Sequence, residues 1–204
     1  LMDRLLAQLA TRDAFPNLRV ITVAGFSAGG QYVHRYQMVN RVHDTLGIRI
    51  TYVVASPSSY AYVDASRPGR GGARSGTPSS SGGFGAFASA STCPTYDQWP
   101  YGLVGRTGPL SRLGVEQLRS HLVGRPVTYV VGDQESPQTP ALDRACAAMA
   151  QGSSRLTRAQ AYFKYVTERL GARHTLIVVP QCGHSGRCVL TSDRVLRALF
   201  PATD

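Results

Sequence analysis

Val20-Ile21-Thr22-Val23-Ala24-Gly25-Phe26-Ser27-Ala28-Gly29-Gly30 carries a β-rich apolar run into a Gly-x-Ser-x-Gly pentapeptide, and a helix-patterned segment follows at once. Strand, sharp turn bearing a serine, then helix is the sequence form of a nucleophile elbow. The serine of such a turn sits in a strained backbone conformation, so its neighbours at minus two and plus two, Gly25 and Gly29, must be very small. Its hydroxyl then projects at the top of a sheet. The amide of Ala28 points to where an oxyanion would form, near the positive end of the following helix. The plainer reading is a glycine-rich turn with an idle serine.

Working outward, apolar residues at 2, 5, 6 and 9 predict a helix ending at Phe15-Pro16-Asn17. Leu18 to Ala24 reads as a buried strand. Val33, Tyr36, Val39, Val42 and Leu46 recur at three or four residues and predict a helix from Ala28 to Leu46, with Gly47 behind it. Ile48 to Val54 is the next strand. After a long unpatterned segment, Ser111 caps a helix running to Gly124, and Pro126 to Val131 is a third strand. Ser153 or Ser154 caps a helix with Leu156, Ala159, Phe163, Val166 and Leu170 on one face and Gly171 after it. His174 to Val179 is a fourth strand, and Ser192 to Phe200 a last helix. Alternation of this kind predicts an α/β fold: a mostly parallel sheet flanked by helices, in one domain of 204 residues.

From Pro57 to Pro109 neither helical nor strand periodicity is present. Within it, residues 66–92 are nearly all Gly, Ser, Ala, Arg and Pro, too poor in apolar surface to offset their ordering entropy. Residues 57–109 therefore read as a lid-like insertion with a flexible 66–92 stretch, docked at its ends by Tyr60, Tyr62, Tyr96, Trp99 and Tyr101.

Hydrophobic residues make up 43% and charged ones 17%, a globular balance. No apolar run is long enough to span a bilayer, and Leu1 to Ala14 has neither the n-region nor the h-region of a secretory signal. The net charge of +10 comes from scattered arginines, Lys164 being the one lysine, so a solvated surface explains it. With no basic helix, RNP-like motif or zinc knuckle, no nucleic-acid partner is expected. Gly25-x-x-x-Gly29-Gly30 lacks dinucleotide spacing, and no cofactor is expected. Cys93, Cys146, Cys182 and Cys188 form no Cys-x-x-Cys pair, so no metal site is expected. Two disulfides can form, Cys182–Cys188 with Cys93–Cys146 being the favoured pairing, against four free buried thiols. If they pair, a secreted or periplasmic location is favoured.

A serine hydroxyl needs a base, and the base an orienter. His184 follows the fourth strand in a Gly-His turn, where an imidazole can reach over the sheet edge. His34 and His43, on the elbow helix, read as surface or packing residues. Asp133 and Glu135, in the turn after the third strand, are both candidates for the acid.

Gly25 to Gly30, Ser56 to Tyr62, Cys93 to Asp97 with Tyr101-Gly102-Leu103, Ala150 to Arg155 and Pro180 to Ser185 together resemble the α/β-hydrolase superfamily, in its serine-esterase-like microbial members. The resemblance implies the α/β-hydrolase fold and the order serine, acid, histidine. An acid three residues after a strand-ending glycine favours Glu135 over Asp133. It also implies a lid inserted after the strand that follows the elbow helix. Strands before the elbow, with the loop that gives a second oxyanion amide, have no counterpart here, so this chain by itself is expected to be weak or inactive.

These expectations join in one reading: hydrolysis of a carboxylic ester through an acyl-enzyme on Ser27, with His184 as base, Glu135 or Asp133 as orienter and Ala28 as oxyanion donor. Tyr60 and Trp99 are candidates for contact with a small-molecule ester or amide substrate, anchoring of the insertion being the alternative. An amidase or acyltransferase would use the same residues. A non-catalytic binding protein of this fold is the reading from another class.

Overall fold

The computed structural model describes residues 1–69, 83–139 and 141–202. Four strands rich in Val, Ile, Thr and Tyr form one parallel sheet: β1 (Val20–Phe26), β2 (Arg49–Ala55), β5 (Val127–Gly132) and β6 (Thr175–Val179), in that spatial order. Gly25 lies opposite Val54, Ala55 opposite Val130, and Gly132 opposite Val179, so three strand ends fall into line. Side chains alternate between two faces. Ile50, Tyr52 and Val54 of β2 join the larger core with α1 (Met2–Leu9), α2 (Ala28–Val39), α3 (Val115–Gly124) and α5 (Arg155–Lys164). Val53 and Ala55 face the smaller one with α6 (Gly186–Leu190) and α7 (Asp193–Leu199). This is the three-layer α/β arrangement, helix over parallel sheet over helix. Among the described residues no helix is long and apolar enough to cross a membrane.

Helix α2 stops at Val39, short of the expected Leu46. Asn40 turns the chain out (φ −64°, ψ 151°) because its side chain finds better partners. Its amide donates to Tyr36 O (3.1 Å) and to the Tyr52 hydroxyl (2.9 Å), and its Oδ1 accepts from the His43 amide (3.0 Å). Short helices at Cys146–Met149 (α4) and Gly186–Leu190 (α6) were not expected. In α5 the Ser154 cap is present, with Thr157 returning the bond. Its fully buried stripe, however, is Arg155, Arg158, Ala159 and Tyr162, continuing to Tyr165 and Val166 in a π-helical turn (Tyr165–Arg169). Leu156, Phe163 and Leu170 are only partly buried.

The expected lid begins as core. Ser56 to Val63 is buried throughout, without regular structure, and side chains supply its backbone partners. Gln151 accepts from Tyr60 N (2.8 Å) and donates to Tyr60 O (2.7 Å). His34 Nε2 accepts from Ala61 N (3.0 Å), and Tyr162 donates to Ala61 O (3.0 Å). Tyr60 itself is 0% exposed, its ring stacked on Tyr162 at 4.5 Å, so it is a core residue and not a substrate contact. Farther on, Ser66–Pro68 (β3) and Phe84–Ala86 (β4) pair antiparallel at the two ends of the stretch expected to be flexible. Its middle, residues 70–82, lies outside the described residues.

The arginines are not all surface charge. Arg67, Arg125, Arg155 and Arg158 are 0–3% exposed and grip backbone carbonyls. Arg125 holds Gln37 O and Asn40 O, Arg158 holds Ser58 O and Asp143 O, and Arg67 lies between the rings of Tyr62 and Tyr96. Both cysteine pairs are disulfides: Cys93–Cys146 and Cys182–Cys188. Such bonds are compatible with an oxidising compartment.

Two buried histidines predict acid sensitivity. Burial holds His174, beside the Tyr129 hydroxyl (3.1 Å), down at about 4, and pushes His34 well below its usual value. The unfolded chain then binds more protons than the folded one between about pH 6.5 and pH 4. Stability is therefore full above pH 6.5 and falls through that window, by about 3 kcal/mol for His174 alone. Urea unfolding at pH 7.5 and pH 4.5 checks this, and His174→Gln should flatten the slope.

Candidate active site

Ser27 is the last residue before α2 and takes φ 55°, ψ −114°, the strained turn expected of it. A Cβ on Gly25 would stand 2.3 Å from Gly29 O, and one on Gly30 would stand 2.4 Å from Ala55 O. Gly29 has open space around its Cα, so the tight partners of the turn are Gly25 and Gly30 rather than Gly25 and Gly29. Ser27 N donates to Ala55 O (2.9 Å), which extends the β1–β2 ladder into the turn. Ala28 opens α2 and is exposed, and an amide in the first turn of a helix has no partner inside it.

The structure brings Ser27, His184 and Glu135 together. Ser27 Oγ is 3.0 Å from His184 Nε2, and His184 Nδ1 is 3.0 Å from Glu135 Oε2. The three lie in the turns after β1, β6 and β5, at one end of the sheet. Glu135 reaches the imidazole because Gly132 ends β5 against the other loop. A Cβ there would be 2.0 Å from Cys182 O, and Gln134 N donates to the same oxygen (3.0 Å). Asp133, one residue after Gly132, donates its amide to Val179 O and turns an exposed side chain outward. Of the two acid candidates, Glu135 is the one beside the imidazole.

His184 is 16% exposed and Glu135 0% by side chain. The Phe26 ring stacks on the imidazole at 4.7 Å. Burial first, and then the Arg155 guanidinium, push His184 below its usual value, against the opposing pull of Glu135. An imidazole so placed is neutral near pH 7 and can take a proton from a hydroxyl 3.0 Å away.

Cys182 and Cys188 bracket His184 in a disulfide of six-residue separation. Reducing it, or Cys188→Ser, is expected to lower turnover about tenfold by loosening the imidazole, since small misplacements are costly in such sites. A thiol titration followed by hydrolytic turnover checks this, with a Cys93→Ser/Cys146→Ser variant as the comparison.

Trp99 is half-buried over the Arg35 guanidinium (5.7 Å), two turns along α2 from Ser27. Arg35 also donates to Ser59 Oγ (3.1 Å) and Pro100 O (2.8 Å). Sequence reasoning overlooked Phe26 and Arg155. The signal for Arg155 was its place with Arg158 on the 3.6-residue stripe that leads to Tyr162 and Val166. Among the described residues no three His, Cys, Asp or Glu side chains gather to hold a metal ion.

The parallel sheet and its flanking helices are those of the α/β-hydrolase fold. A poly(3-hydroxybutyrate) depolymerase from Bordetella parapertussis superposes with a TM-score of 0.59 at 25% identity, over 91% of this chain and 52% of its own. Poly(aspartic acid) hydrolase-1 from Sphingomonas sp. KT-1 does so with a TM-score of 0.57 at 22% identity, over 90% and 56%. The chain thus spans about half the length of these solved structures. No family model matches it, and no curated protein does.

Proposed function

We propose that this chain carries the acyl-enzyme centre of a serine hydrolase acting on a carboxylic ester. The observation that carries the reading is the unbroken path Ser27 Oγ–His184 Nε2 and His184 Nδ1–Glu135 Oε2, each step 3.0 Å. Ser27 Oγ attacks the ester carbonyl as Nε2 takes its proton, and Glu135 accepts from Nδ1–H and steadies the imidazolium. The Ala28 amide donates to the oxyanion. Collapse expels the alcohol with the proton from Nε2, and a water activated by the same nitrogen then releases the acid and restores Ser27.

Amide hydrolysis and acyl transfer would use the same groups. The two structural neighbours are, by name, a depolymerase of a polyester and a hydrolase of a poly(amino acid), and both support hydrolysis as the class of reaction. Trp99, half-exposed over Arg35, is kept as the substrate-wall candidate. A fluorophosphonate probe tests the reading. It should label Ser27, with labelling lost in Ser27→Ala and reduced in His184→Ala. A folded protein that leaves Ser27 unlabelled would support the non-catalytic alternative.

A further inference from the structure

Arg155 is among the most deeply buried charges of the described residues. Its side chain is 1% exposed and that of Glu135 0%, and Nη1 stands 3.7 Å from Glu135 Oε2. That is the same oxygen that faces His184 Nδ1. The other arm of the guanidinium is pinned: Nη2 donates to Ser58 Oγ (2.8 Å) and Ala141 O (2.7 Å). One planar cation thus ties α5 to the segment leaving β2 and to the turn bearing the acid. A lysine ammonium could not span those three points in one plane.

We propose that Arg155 is a fourth, positioning member of this site: its guanidinium holds the Glu135 carboxylate against His184 and supplies the positive charge that sets the pH at which the imidazole can act as a base. This rests on the serine hydrolase reading above. Three charged or titratable groups make up the cluster. His184 faces Glu135 from the turn after β5 and Arg155 from α5, with Phe26 and Ser27 as its uncharged neighbours. The next charge along α5, Arg158, is turned to Ser58 O, Gly152 O and Asp143 O. Arg155 acts on the pair in two ways. Its charge opposes a proton on His184, since like charges nearby disfavour the charged form. Its position opposes rotation of the carboxylate away from the imidazole. Glu135 Oε1 and Arg155 Nη1 each lack a hydrogen bond, so the two can close a further contact without breaking an existing one.

The test compares Arg155→Gln, which keeps a donor for Ser58 and Ala141 but drops the charge, with Arg155→Lys, which keeps the charge. The readouts are the pH dependence of kcat/KM on a short p-nitrophenyl ester and the titration of His184 by NMR. Arg155→Gln is expected to move the acid limb, and the His184 titration with it, upward by about half a unit or more. Arg155→Lys should return both toward the parent value. A uniform loss of rate in both variants with an unmoved limb would make Arg155 merely structural and overturn the proposal. So would a downward shift. If Arg155→Gln does not fold, Arg155→Met takes its place with the same two outcomes: an upward shift of the His184 titration supports the proposal, and an unmoved or lower one overturns it. Turnover that survives Ser27→Ala would remove the Ser27 acyl-enzyme reading instead, and the NMR titration would still decide the role of Arg155.

Discussion

Ser27→Ala is expected to remove the ester turnover of this chain, a change worth about 10⁴- to 10⁶-fold in a fully active serine hydrolase, while leaving the fold unchanged. In the proposed mechanism the hydroxyl joins the imidazole path to the substrate carbonyl, and removing it leaves only binding and the Ala28 amide. Alanine adds no atom to the turn, and Gly25 and Gly30 still make room for its backbone. Turnover of a p-nitrophenyl ester, with unfolding curves for both proteins, measures it. A Ser27→Ala protein within tenfold of the parent would place the chemistry elsewhere.

Glu135→Gln should cost about 10³- to 10⁴-fold in kcat, whereas Asp133→Asn should stay within about twofold. The glutamine keeps the shape but can turn its amide N–H toward His184 Nδ1, now 3.0 Å from a carboxylate oxygen. The imidazole then carries its hydrogen on Nε2 and has no lone pair for the Ser27 proton. Asp133 faces solvent and has no part in that path. A large loss in Asp133→Asn with a small one in Glu135→Gln would reverse the assignment of the acid.

Features that obey local rules were legible in the sequence. The elbow announced itself because small residues bracket Ser27 at the end of an apolar strand, and His184 because it comes after a strand in a glycine turn. Glu135 could be ranked but not chosen, since both acids lie in one turn. The choice comes from Gly132 meeting Cys182 O, a contact between turns about fifty residues apart. Ser56 to Val63 looked like the start of a loop because its backbone is satisfied by Gln151, His34 and Tyr165, which leaves no periodicity to read. Arg155 looked like surface charge for a similar reason. Its partners, Ser58, Ala141 and Glu135, are distant in sequence and mostly uncharged, so no pattern of opposite charges marks it.

The Cys93–Cys146 bond has a consequence for how the molecule comes apart when cut. It closes a ring of chain across a separation of 53 residues, containing α3, β5 and the acid-bearing turn. A protease nick anywhere between those cysteines leaves two pieces that travel together in denaturant and separate only with reductant. A nick at residues 70–82, outside the ring, separates them at once. Non-reducing and reducing gels of a limited digest therefore report whether a cut fell inside a disulfide ring or outside it before any fragment is sequenced.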